Sequence, residues 1–144
     1  NKAYKKAIRI TSPNGAFLFF RTHCFSEIGG FDTNLFLYSE EMDFAKKLEK
    51  IAVEAALVPQ ARFQHFQGKS SKASKAISKE AMLSELYVIK KHYSFLHYKI
   101  VQLYYMVTLP FKPRKWFLLP VIIKGVSLKY SLKQKQTIRF LNNP

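Results

Sequence analysis

Apolar residues in this chain come in runs of unequal length, separated by short clusters of Gly, Pro, Ser and Lys. Gly15 to Phe20 is continuously apolar and bounded by Pro13-Asn14 and Arg21, which predicts a strand buried on both faces. Thr22 to Ile28 reads as a short helix ended by Gly29-Gly30. Met42 to Ile51 has helical spacing, with Phe44, Ala45 and Leu48 on one face. Ala55 to Val58 is a short strand stopped by Pro59. Arg62 to Phe66 alternates, placing Phe63 and His65 on the same side of a third strand. Residues 1–11 are a basic edge segment. Gln67 to Lys79 holds little that can be buried and reads as a loop, either a plain linker or a lid over an anionic ligand. From about Ser78 the chain turns helical, with Met82, Leu86, Ile89 and Tyr93 as an apolar stripe. Two apolar blocks follow, Ile100 to Phe111 and Trp116 to Ile123, separated by Lys112-Pro113-Arg114-Lys115. Neither reaches the roughly 18 residues of a spanning helix. Residues 129–144 are basic and polar and are expected to fray.

The composition narrows the function class. An apolar fraction of 48% belongs to a folded chain rather than a disordered one. The net charge of +15 favours polyanions: nucleic acid, anionic lipid or phosphorylated substrates. There is no zinc-finger spacing, RNP-like motif or basic-region heptad. Lysines placed beside long apolar blocks suit a membrane surface better, although a pair of plain core helices would show the same runs. The single cysteine, Cys24, excludes an internal disulfide and reads as a small buried hydrophobe.

Three of the nine acids fall in Glu40-Glu41-Met42-Asp43, directly after an apolar stretch. Ser39 is a good N-cap, and acids in a first helical turn are stabilised by the macrodipole. That accounts for Glu40 and Asp43. Glu41 shares the face of Phe44, Ala45 and Leu48, whereas Asp43 looks towards Lys46, Lys47 and solvent. Helix capping and a general base turned towards the protein both remain open on this pattern.

The wider order of motifs carries more information. Gly15-Ala16 opens an apolar run, and Gly29-Gly30-Phe31-Asp32 forms a turn. Glu40-Glu41-Met42-Asp43 starts a helix, Val58-Pro59-Gln60-Ala61 follows, and His65 precedes Gly68. From about Ser12 to Ser70 this resembles the C-terminal half of family 2 glycosyltransferases, inverting enzymes with a GT-A fold. The closest likeness is to rhamnosyltransferase-like and galactofuranosyltransferase-like members. The resemblance implies an α/β fold, the C-terminal half of a GT-A domain, with few short strands, several helices and a helical C-terminal region. It implies an acceptor-side part at residues 1–75, a helical and membrane-surface part at 76–130 and a basic tail at 131–144. It makes Glu41 the base that deprotonates an acceptor hydroxyl, with Glu40 and Asp43 on the acceptor side and His65 completing a metal site. Lys69, Ser70 and Lys72 in the loop would suit the donor diphosphate. The complete enzyme would use Mg or Mn, a nucleotide-sugar donor and a glycan or lipid-linked acceptor, on the cytoplasmic face of a membrane.

The sequence departs from the family pattern at three points. Glu41 stands where the family usually has Asp. The chain has two aspartates, Asp32 and Asp43, and no Asp-x-Asp. No βαβ nucleotide-binding unit precedes Gly15. The expectation is therefore an acceptor-side half that does not turn over alone. The alternative is a small basic protein that binds anionic membrane or nucleic acid without catalysis. His23, His92 and His97 match no part of the pattern and read as surface or interface residues. Two further expectations concern placement. Glu41 and His65 should line one cavity, with Phe17 and Phe19 exposed nearby. Residues 95–125 should expose aromatic and leucine side chains rimmed by Lys99, Lys112, Arg114, Lys115 and Lys124.

Overall fold

The structure, a computed structural model, describes residues 5–66 and 74–135. Strand β1 (Ile8–Ile10) pairs antiparallel with β2 (Ala55–Leu57), with Arg9 opposite Ala56. Between them lie helix α1 (Thr22–Glu27) and helix α2 (Glu40–Lys50). Then come α3 (Lys75–His92), α4 (Phe95–Thr108), 3-10 turns at Leu109–Phe111 and Pro113–Leu118, and α5 (Leu119–Lys124). Short 3-10 turns at Leu128–Tyr130 and Leu132–Lys135 end the described chain.

Two expected strands do not form. Gly15 to Phe20 runs without a ladder partner, and so does Arg62 to Phe66. A continuous apolar run becomes a buried strand only between neighbours that pair with it. Here β1 and β2 are the whole sheet among the described residues. Phe17 and Phe19 are exposed, as are Phe63 and Phe66.

A cluster of rings packs the N-terminal half. Phe20 stacks on Phe25 at 4.7 Å between centroids, and Phe44 of α2 lies 5.4 Å from both Phe20 and Phe31. The chain reverses into this cluster through Gly29 and Gly30, both with positive φ. A Cβ on Gly30 would meet the Phe25 ring at 3.3 Å, so both conformation and space require glycine there.

The second core is helical. Met82 and Leu86 of α3 meet Tyr98 and Leu109, and Leu118 and Ile122 close it. Helix α3 starts at Lys75, earlier than the sequence pattern indicates, because the Ser74 hydroxyl accepts from the Ile77 amide at 3.2 Å. Ser94 caps α4 in the same way, through the His97 amide. Pro110, which has no amide proton, follows the end of α4 and turns the chain into the 3-10 segments. The basic tail is not wholly frayed. Ser131 is buried, its hydroxyl donates to the buried Glu80 at 2.7 Å, and the Leu132 amide donates to the other Glu80 oxygen at 2.8 Å.

Candidate functional site

The start of α2 is presented by an unusual piece of backbone. Tyr38 and Ser39 both adopt left-handed conformations, with φ of 69° and 64°. Each costs on the order of 1 kcal/mol for a residue with a Cβ. Ser39 is therefore not a side-chain cap; its carbonyl, not its hydroxyl, serves the helix, accepting from the Asp43 amide at 3.0 Å. The preceding loop is held by Ser84, whose hydroxyl donates to the Leu37 carbonyl at 2.8 Å.

This geometry assigns the acids of the cluster to different surroundings. Asp43 is 1% exposed, so its expected outward orientation and its acceptor-side role are both corrected: no acceptor reaches it. Its first oxygen accepts from Lys91 at 2.6 Å and from His92 Nε2 at 2.7 Å; its second lies 3.3 Å from Lys47. Phe44 and Leu48, next to Asp43 and five residues on, face the interior with it. Burial alone would raise the Asp43 pKa. Hydrogen bonds from Lys91 and His92, with the charges of Lys47 and Lys91, outweigh it and hold the carboxyl below the usual range. The expected pairing with Lys47 is present, whereas Lys46 turns to Glu49 at 2.7 Å.

Lys91 also bonds Asp32 at 2.6 Å. Asp32 accepts from the Tyr87 hydroxyl at 2.9 Å and from the Asn34 amide at 2.8 Å. Burial opposes its ionised form, but the Lys91, Asn34 and Tyr87 donors hold its pKa well below the ordinary value. The Lys47 ammonium donates to the Gly30 carbonyl at 2.8 Å. The Gly-Gly-Phe-Asp turn, the start of α2 and the end of α3 are thus one connected polar assembly. The sequence pattern marks Asp32 and Asp43 but not Tyr87, Lys91 or His92. His92, read as a surface or interface residue, has a side chain 1% exposed, and its Nδ1 is buried without a partner among the described residues. The basic Lys90-Lys91-His92 end of α3 was the one legible signal, and it is equally what a helix C-terminus attracts.

Glu41 is half-buried at the first turn of α2 and lies against Gly15: a Cβ there would sit 3.4 Å from Glu41 Oε2. Glu40 is half-buried too, and its Oε2 is sealed from solvent with no hydrogen-bond donor among the described residues. His65 is exposed, 6.4 Å from the Phe63 ring, which stacks on Phe17 at 5.3 Å. Glu41 thus lies against Gly15 and His65 beside Phe63, joined by no direct hydrogen bond among the described residues. A cleft of about 400 Å³ opens on the adjoining face of α2, against β1 and β2. Met42, Lys46, Glu49, Arg9, Glu54 and Tyr93 line it; Glu41 and His65 do not, so the expected shared cavity is not this one. No group of three His, Cys, Asp or Glu side chains among the described residues is gathered as a metal site. Lys69, Ser70 and Lys72 lie outside the described residues. Cys24 is half-buried, with Sγ 3.3 Å from His23 Nε2, a closer polar contact than a buried hydrophobe implies.

Compared with known proteins, the chain matches no family model, no curated protein and no solved structure.

Proposed function

We propose that this chain is the acceptor-side, catalytic-base part of an inverting glycosyltransferase. The reaction moves a sugar from a nucleotide-diphosphate donor to a glycan or lipid-linked acceptor, in surface polysaccharide synthesis at the cytoplasmic face of a membrane. The observation that carries this reading is the strained Tyr38–Ser39 turn, which delivers Glu41 and Glu40 together at the head of α2. Left-handed backbone at residues with a Cβ persists where the surroundings hold it, and it clusters at functional sites. The Asp43 amide bonds the Ser39 carbonyl on one side of the turn, and Ser84 bonds the Leu37 carbonyl on the other. Glu41 then takes the proton of the acceptor hydroxyl as that oxygen attacks the anomeric carbon and the nucleotide diphosphate departs. Glu40 offers its unpartnered buried oxygen to a second acceptor hydroxyl. A divalent metal and a nucleotide-binding half with Asp-x-Asp would supply the electrophilic side of the reaction, and His65 is the residue of this chain assigned to that metal.

The alternative, a basic membrane-binding protein without catalysis, is favoured by the exposed apolar side chains of α4. The two separate on one substitution. Replacing Glu41 by Gln at the chromosomal locus should lower surface glycan at least ~100-fold, the usual contribution of a general base. Immunoblotting should find the protein level unchanged. Unaltered glycan in cells carrying Glu41→Gln would remove the enzymatic reading.

A further inference from the structure

Helix α4 has one covered face and an apolar stripe opposite it. Tyr98 and Gln102, with Leu109 just past the helix end, are buried on the side towards α3 and α5. On the opposite side Leu96, Ile100, Leu103 and Val107 recur at four, three and four residues, each more than half exposed. Phe111 is 83% exposed at the end of this stripe, and Trp116 is 53% exposed beyond it. An amphipathic helix buries its apolar stripe, so this exposed one calls for a covering surface. No helix among the described residues is long and apolar enough to cross a membrane.

We propose that this outer face of α4, with Phe111 and Trp116, inserts into the headgroup region of an anionic phospholipid bilayer. The inference deepens the membrane-surface part of the reading above and does not depend on Glu41. Charge selects the occupant. The chain has no Asp or Glu after Glu85, while Lys99, Lys112, Arg114, Lys115 and Lys124 all follow it. None of these five takes part in an ion pair among the described residues. Three of them fall between Phe111 and Trp116, so the deepest apolar side chains are bracketed by cations, the arrangement of an interfacial segment. A second copy of the chain is the poorer partner. An isologous contact would set this basic rim against itself. Trp116 is also prepared for a dry setting: its indole N–H donates to the Pro110 carbonyl at 3.1 Å, so burying the ring strands no donor.

The test uses the full chain and vesicles of phosphatidylcholine with or without phosphatidylglycerol. Trp116 is the only tryptophan, so its emission reports directly on this face. Co-sedimentation should require the anionic lipid and weaken with salt, and Trp116 emission should shift to the blue. Leu103→Glu with Val107→Glu, both exposed positions, should weaken binding at least about tenfold with the helical circular dichroism retained. Lys112→Glu with Lys115→Glu, which touches no core residue, should weaken it as well. Phe19→Ser, exposed elsewhere, and Glu41→Gln should bind as the parent does. Point substitutions replace truncation because residues beyond Ser94 cover Met82 and Leu86. The proposal fails if vesicles do not bind, if Trp116 emission does not move at saturation, or if the acidic variants bind equally. It fails too if ultracentrifugation finds a dimer that Leu103→Glu/Val107→Glu dissociates while vesicles are ignored. Loss of glycan in Glu41→Gln cells alongside absent vesicle binding would leave the catalytic reading standing and remove this one.

Discussion

Asp43 and Glu41 stand two residues apart on one helical turn and meet opposite surroundings. Asp43 is sealed among Lys91, His92 and Lys47, whereas Glu41 is half-buried against Gly15. Removing the charge from Asp43 leaves Lys91 with Asp32 alone and Lys47 with the Gly30 carbonyl, and breaking one side of a buried ion pair costs up to about 3–5 kcal/mol. Asp43→Asn should therefore lower the urea midpoint strongly at pH 7. The pH dependence has a definite sign. The folded-state pKa of Asp43, and that of Asp32, lies below the unfolded value. Their stabilisation is present in full above the unfolded pKa of about 4 and is lost as pH falls through the lower folded values. Parent and Asp43→Asn denaturation curves should then differ most near neutrality and converge below about pH 4. A constant difference down to pH 2 would show that the carboxylate's charge is not what the assembly uses.

At the scale of elements, connections between helices are fixed by a few polar contacts placed where the backbone turns. The link from α5 to the chain beyond passes through Gly125, with φ of 71° and ψ of −168°, a region open to glycine alone. A Cβ there would stand 2.9 Å from the Tyr98 hydroxyl, which the Val126 amide approaches at 3.4 Å. Gln102 donates to the Ile122 carbonyl at 2.8 Å, tying α4 to the end of α5. Gly125→Ala should cost roughly 1–3 kcal/mol from backbone strain, with more from displacing Tyr98. Chemical denaturation measures it, and a change under about 0.5 kcal/mol, the usual range of surface substitutions, would contradict the backbone argument.

Across the whole molecule, α3 is the shared wall. Met82 and Leu86 face the C-terminal helices, while Ser84, Tyr87, Lys91 and His92 hold the loop, the turn and the helix start of the N-terminal half. The tail returns to that wall: Glu80 receives Ser131 and Leu132, and Lys133 donates to the Thr33 carbonyl beside Asp32. The last described segment therefore closes over both halves at once. Glu80→Ala strands the Ser131 hydroxyl and the Leu132 amide, at about 1–3 kcal/mol for each donor left buried and unpaired. Brief trypsin treatment should cut the variant after Lys129 or Lys133 at least several-fold faster than the parent. Equal cleavage rates would mean that the tail is held by something other than Glu80.

The sequence by itself determined the local elements and where the chemistry gathers. Helical spacing marked α2 and the α3 stripe, Gly29-Gly30 marked the end of α1, and Pro59 closed the short strand. Glu40, Glu41 and Asp43 declared themselves by density, and the two C-terminal apolar blocks by length and flanking charge. These features are legible because dihedral preference and side-chain period act between residues a few positions apart. Only the tertiary structure decided which acid is sealed. Period tells which residues share a face, but not which face a distant helix will cover, and the covering residues Lys91 and His92 lie 48 and 49 positions from Asp43. It also decided that Gly15 to Phe20 is not a strand, since a strand needs a partner's ladder as well as apolar side chains. The left-handed pair Tyr38–Ser39 was invisible for the same reason. Neither residue favours that backbone on its own, and the contacts on either side of it, Ser84 on Leu37 and Lys91 and His92 on Asp43, come from residues distant in sequence.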